Sequence, residues 1–452
     1  MIKLKIGDNM QKPTVYICLH IDTEGPLYED IVATFQRMEN ILNAKIPLKP
    51  TIANLELIRD GKVDFLSKDS LEIVKKITDP HLLAYKSSWT EIDEMLYRIM
   101  SKEYRAKFAN RQGEGGLVFN WHVMDHVGYE INPRHRDMGY LNIFDHYKMM
   151  LDETDSEHID DIQWHVHAMH FKKQANYTAN CYENCYDLIH QMLCRRLIER
   201  NYFPLVNRPG FHTERPDINW FLEQWIPFDV ANQSIDNDDY ASYGMSGDWK
   251  GAPSDWSIYH PDIYDWRKEG NCNRYIARAL NLKTRFRNIS EFEIEKAFIK
   301  AKKEQKSVYL GVDTHDWREM SIEIEEFWSK FLKVASRYDD VNYMFAKSTD
   351  AFKSVLGLAS NNPIIMSAEI EENLLKINVI SGEPFGPQPY LAIKLKTGDF
   401  IHDNLNFGVF KKQYYYYFRE DISMRKDEID TICIASNDKY GNQHIIRFNL
   451  NE

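Results

Sequence analysis

The chain has 452 residues, enough for one large domain and a smaller one, and 43% of them are hydrophobic, which allows a sizeable core. A net charge of −12, with no basic block to offset it, argues against nucleic acid as a partner. Met1–Lys12 lacks the apolar core of a signal peptide, and the longest apolar runs, such as Val15–Leu19, fall far short of a transmembrane segment. The six Cys are irregularly spaced, with Cys181, Cys185 and Cys194 near one another, and do not read as a disulfide framework, so the expected location is the cytoplasm.

Short apolar runs alternate with helical stretches as far as about residue 356. The runs predicted as strands are Val15–Asp22, Leu117–Met124, Ile162–His167, Leu205–Pro209, Phe228–Gln233, Val308–Asp313 and Asn342–Phe345. Helices are expected over Asn176–Arg200, over Glu291–Gln305, which opens with Ser290 and Glu293 in capping-box spacing, and over Ser321–Tyr338, where Ile324, Phe327, Phe331 and Ala335 lie close to one face. Seven strands separated by helices predict an α/β fold, a (β/α)7-type barrel over residues 1–358. Residues 26–115 are too long for one crossover and are expected to form a helical insertion, and Asn232–Trp266 to form an ordered loop over the site. Past a linker at Ala359–Pro363, six shorter alternating runs between Ile365 and Phe448, broken by Ser381-Gly382, Thr397-Gly398 and Asn437-Asp438, predict a small antiparallel β-sandwich over residues 359–452.

Four polar clusters each follow a predicted strand. His20, Asp22 and Glu24 recur at alternate positions, so all three share one face of an extended chain. Two acids there can divide labour between a metal and a proton. His165, His167 and His170 form a dense supply of imidazole ligands. Arg208-Pro209-Gly210 places a guanidinium before a sharp turn, where it can pair with a carboxylate. His315, flanked by Asp313 and Asp316, has the surroundings of a proton donor held in one tautomer. In a barrel such strand ends converge on one face. Asn120–His126 ends another strand on that face, giving Trp121, Asp125 and His126 as candidates to line the pocket.

An Asp-x-acid strand end, a His-rich strand end, an Arg-Pro-Gly turn and a late His-Asp, in that order over about residues 13–356, resemble the polysaccharide deacetylase (NodB-homology, carbohydrate esterase family 4) superfamily. The resemblance implies a divalent metal, most often zinc, and hydrolysis of an N-acetyl group on an amino sugar. Carried over by position, Asp22 resembles the base and Glu24 the metal carboxylate. His165 with His167 or His170 resembles the metal-binding His pair, Arg208 the Arg that orients the base, and His315 the acid. Asp248-Trp249 and Asp255-Trp256 both resemble the family's Asp-Trp segment, adding Trp249 and Trp256 as candidates to contact substrate. The chain departs from the family in Thr23 standing between its two acids and in His spacings of two, three and five, which leaves open the identity of the His pair and the division of roles between Asp22 and Glu24. The expected substrate is a carbohydrate or sugar precursor of a surface polysaccharide. The alternatives are an amidohydrolase acting on a non-sugar C–N bond and a non-catalytic glycan-binding protein on the same fold.

Overall fold

A computed structural model describes residues 12–175, 182–236 and 247–450. Eight parallel strands make the first sheet: β1 (Thr14–Thr23), β2 (Phe119–Met124), β3 (Asp161–Val166), β4 (Val206–Pro209), β5 (Phe228–Asn232), β6 (Tyr275–Asn281), β7 (Val308–His315) and β8 (Asn342–Phe345). The strand β1 pairs with β7 along one edge. Its other edge is divided, Leu19–Thr23 pairing with β2 and Thr14–Ile17 with β8. The first seven strands therefore close into a parallel barrel, and β8 fills the gap where β2 diverges from the foot of β1.

The ring differs from the expected seven strands in one member. The strand β6, Tyr-Ile-Ala-Arg-Ala-Leu-Asn, was not among the expected strands, and Asn342–Phe345 lies outside the closed ring. Alanine is a weak strand former, and a charged residue in mid-run obscures the alternation. Arg278 is nonetheless buried there, paired with Glu293 at 2.7 Å and lying over the Trp256 ring.

Helices link the strands. The long segment after β1 holds five, at Ile31–Leu42, Ile52–Arg59, Lys68–Ile77, Trp89–Ile99 and Lys102–Ala106. The helix Glu291–Glu304 is capped by Ser290, whose side chain accepts from the Glu293 N–H. The helix Met320–Ala335 buries Ile324, Phe327, Phe331 and Ala335 against the barrel. The stretch expected as a helix from Asn176 is helical over Tyr186–Arg200; its first residues, Cys181 among them, lie outside the described residues. Cys18, Cys194, Cys272 and Cys433 are buried free thiols.

The chain then forms two four-stranded antiparallel sheets from β9 (Ile365–Glu371), β10 (Leu374–Ser381), β11 (Tyr390–Leu395), β12 (Phe400–Asp403), β13 (Asn406–Val409), β14 (Gln413–Tyr417), β15 (Ile429–Asn437) and β16 (Gln443–Asn449). The period-2 alternation of β11 and β15 gives one sheet two apolar faces. Leu391, Ile393, Ile432 and Ile434 meet the other sheet, while Tyr390, Ala392, Cys433 and Ala435 pack on the barrel with helix Tyr186–Arg200. Asn437 fastens the contact, its amide donating at 2.8 Å to the carbonyls of both Pro204 and Trp225.

Candidate metal and catalytic site

Parallel pairing sets the height of each strand-end cluster. Asp22 is level with His315 across β1 and β7, and His165 is level with Arg208 across β3 and β4. Asp22, His165 and His315, with Glu24 and His167, line a cavity of about 150 Å³. All lie at the C-terminal end of the barrel, where such folds carry their chemistry.

Glu24, His165 and His167 form a compact buried group. Glu24 Oε1 lies 3.8 Å from His165 Nε2 and 3.5 Å from His167 Nε2, and the two nitrogens are 3.1 Å apart. Tetrahedral zinc, with bonds of about 2.0–2.1 Å, separates its ligand atoms by roughly 3.3–3.4 Å, so these donors fit one ion. The tautomer fits as well. His165 Nδ1 is 2.7 Å from the Arg208 carbonyl, which only accepts, so Nδ1 carries the proton and Nε2 presents its lone pair. Burial lowers the pKa of both rings, keeping them neutral as ligands must be. Three protein donors leave a coordination position for water or substrate, the pattern of catalytic rather than structural sites. Glu24 Oε2 turns the other way, into contact with the Arg136 guanidinium and 3.8 Å from His126 Nε2.

Local backbone chemistry fixes these positions. Asp316 accepts from the N–H groups of Glu24 and Gly25 at 3.0 and 2.9 Å, holding the turn after β1, and Tyr147 Oη donates to it at 3.0 Å. Gly210 has a packing reason to be glycine, since a Cβ would come within 2.2 Å of the His167 ring. Phe211 and His212 follow with φ of 54° and 51°, uncommon for residues with a side chain. The Trp249 indole braces that turn by donating to the His212 carbonyl at 2.8 Å.

Beside the metal group, Arg208 is fully buried between two acids. Its Nε donates to Asp22 Oδ1 at 2.6 Å, and Nη2 lies 2.9 Å from Asp313 Oδ2. Burial alone would raise the Asp22 pKa; Arg208, followed by His165 and His315, outweighs it and holds the carboxyl well below the usual range. Burial dominates at Asp313 and pushes it up to about 7, against the pull of Arg208. His315 Nε2 is 3.7 Å from Asp22 Oδ2, and burial makes its imidazolium unfavourable. Its Nδ1 has no hydrogen-bond partner among the described residues, so neither Asp313 nor Asp316 sets its tautomer, contrary to expectation. Beneath the site, His20 bonds to His122 at 2.9 Å and to Tyr309 Oη at 3.0 Å, inside the barrel rather than at its mouth.

Several expected site residues lie elsewhere. His170 is not in the metal group; the chain turns away after β3, and its Nδ1 accepts from the Lys172 N–H at 3.1 Å. Trp121 is buried in the core, donating to Asp160 at 3.1 Å, and Asp125 is locked to Arg196 at 2.9 Å and to the Leu141 N–H. Trp256 donates to the Glu293 carbonyl, and Trp249 acts only through His212. Asp248 pairs with Arg267 and Asp255 with Lys300, away from His315. Buried indoles usually find an acceptor, and Trp121, Trp249 and Trp256 each found one in the scaffold. The aromatic lining comes instead from Tyr85, Phe211, Phe286 and Trp317. Sequence reasoning also missed Arg37, Arg134, Arg136, Arg285 and Arg318 in the lining; Arg37 comes from the helix Ile31–Leu42 and the other four from loops without periodic pattern.

No helix among the described residues is long and apolar enough to cross a membrane. Comparison with models of protein families and with curated proteins finds no match.

Proposed function

We propose that this chain is a metal-dependent hydrolase of the polysaccharide-deacetylase type, releasing acetate from an N-acetylated amino sugar. The observation that carries the reading is the three-donor group of Glu24, His165 and His167 sharing one cavity with Asp22, whose Oδ1 is paired at 2.6 Å with the buried Arg208 behind it. The geometry favours Glu24 over Asp22 as ligand, because Glu24 Oε1 faces both imidazoles whereas Asp22 Oδ1 is engaged by Arg208. The buried free thiols accord with action in the cytoplasm on a precursor.

Glu24, His165 and His167 would hold the divalent ion, and two imidazoles with one carboxylate suit zinc; when bound, it supplies Lewis acidity toward the acyl oxygen and the attacking water. Asp22, kept ionised by Arg208, accepts the proton of that water at Oδ2, the oxygen that faces His315. His315 rests neutral, so it receives this proton before it can donate, and its Nε2 and Asp22 Oδ2, 3.7 Å apart, have to close to hydrogen-bond distance or bridge through one water for the transfer. Nε2 then protonates the departing nitrogen as its bond to the acyl carbon breaks, giving acetate and a free amine.

Asp22→Asn and His315→Ala should each lower kcat for acetate release from N-acetyl amino sugars by about 10²–10⁴-fold, the usual weight of a positioned acid or base. Acetate release that survives both changes removes the proposed mechanism.

A further inference from the structure

Against a chain of net charge −12, the cavity lining carries five arginines (Arg37, Arg134, Arg136, Arg285 and Arg318) and only two carboxylates, Asp22 and Glu24. Two of the five are accounted for locally. Arg136 contacts Glu24, and Arg318 donates to the buried Glu323 at 3.0 Å. The other three converge from separate segments: Arg37 from helix Ile31–Leu42, Arg134 from the loop after β2, and Arg285 from the loop after β6.

Glu29 serves two of these three. Arg37 Nη2 lies 2.9 Å from its Oε1, and Arg134 Nε lies 2.7 Å from its Oε2, so both carboxylate oxygens are engaged. Arg285 has no carboxylate partner among the described residues; its neighbour is the Phe286 ring, 6.0 Å from the guanidinium carbon. The same three guanidiniums, with Phe211, also line a smaller adjoining cavity of about 140 Å³. Three positive groups and one carboxylate leave two uncompensated charges on a concave wall. Burial draws the pKa of Arg285 down to about 9, and Arg37 and Arg134 press the same way. Such mutual repulsion costs stability, and the Glu29 clamp explains Arg37 and Arg134 but not Arg285. A guanidinium free of carboxylates and turned to a cavity is suited to bidentate pairing with a phosphate or carboxylate.

We infer that the substrate carries an oxyanion, a phosphate or a carboxylate, which Arg285 binds with support from Arg37 and Arg134 while the bond to be cleaved lies at Glu24, His165 and His167. The inference rests on the hydrolase reading only for the statement that the anion and the cleaved bond belong to one molecule. The anion site itself is independent of the reaction. Arg285 comes from outside the residues that hold the metal or move the proton, so specificity and chemistry are separable.

The test has two parts. Calorimetry with inorganic phosphate at low ionic strength measures the anion site without turnover. Phosphate should bind the wild-type protein and His167→Ala alike and bind Arg285→Ala about tenfold more weakly, the scale of one charge-assisted pair. Arg285→Lys, which keeps the charge but loses the fork, should fall between. Kinetics then compare a phosphorylated N-acetyl sugar, an N-acetylated uronic acid and a neutral N-acetyl sugar. One of the two anionic substrates should have a KM at least about tenfold below the neutral one, and Arg285→Ala should erase that preference. The arm that wins tells phosphate from carboxylate. Phosphate binding lost in Arg285→Ala with no hydrolysis of any of the three keeps the anion site and removes the proposed reaction. Equal phosphate binding by wild type and Arg285→Ala, or hydrolysis with no preference for either anion, overturns the inference.

Discussion

At the mouth of the barrel, Asp22, Glu24, Arg208 and Asp313 are each at most 3% exposed, and His165, His167 and His315 crowd around them. Between the C-terminal sheets the core is instead apolar, with Leu375, Ile377, Leu391, Ile393, Ile432 and Ile434 packed together. Burying an apolar side chain stabilises by about 1.5–3 kcal/mol. Burying an ion pair returns little or nothing once desolvation is counted. Buried ion pairs also brace the scaffold away from the cavity, Arg105 with Asp160 and Arg196 with Asp125 among them, and the stability that carries all of this charge comes from apolar layers such as the C-terminal sheets and the helices packed on the barrel.

The two regions should fail differently. Arg208→Met leaves Asp22 and Asp313 buried without their shared cation, and should destabilise the fold by about 3–5 kcal/mol in denaturant titrations. Adding Asp22→Asn to it should recover part of that loss, because the neutral amide no longer needs a counter-charge. A double variant no more stable than Arg208→Met alone would show that the pair is not coupled as described. Ile393→Ala, in the apolar core, should cost about 2–5 kcal/mol and leave kcat within about twofold of wild type, since the cavity it creates is remote from the barrel mouth. A large fall in kcat at full folding would tie the C-terminal domain to the reaction itself.

A smaller effect sharpens the electrostatic side. Burial would raise Glu29, but Arg134 and Arg37 overcome it and lower its pKa from 4.5 to about 2. Its folded pKa lies below its unfolded one, so its contribution is complete above pH 4.5 and is lost as the pH falls toward 2. Glu29→Gln should therefore flatten the acid limb of the stability profile in that window, by about 1–3 kcal/mol in total. An unchanged acid limb would mean that the arginine clamp does not hold Glu29 in solution.

The strand-end clusters were legible in the sequence because β chains impose a period of two, and polar residues directly after an apolar run mark where that run ends. His165 and Asp22 end their strands on the cavity face, and His167 and Glu24, one residue past β3 and β1, still line the same cavity. His170 was misjudged because strand periodicity ends at Val166 and gives no direction to a turn. Trp121, Trp249 and Trp256 look the same in sequence whether an indole faces a sugar or a scaffold carbonyl, and the difference lies in partners such as Asp160 and Glu293 that are remote in the chain. The strand β6 was hidden by its alanines and by Arg278. Arg37, Arg134 and Arg285 left no signal at all, because three arginines up to 248 positions apart become neighbours only when the barrel closes.

The central claim is that Glu24, His165 and His167 share one divalent ion. The most direct measurement is an anomalous difference map from a crystal soaked in zinc. The account predicts one strong peak about 2.0–2.2 Å from Glu24 Oε1 and from the Nε2 atoms of His165 and His167. A map with no peak among these three atoms, or with the ion held by other residues, would contradict it.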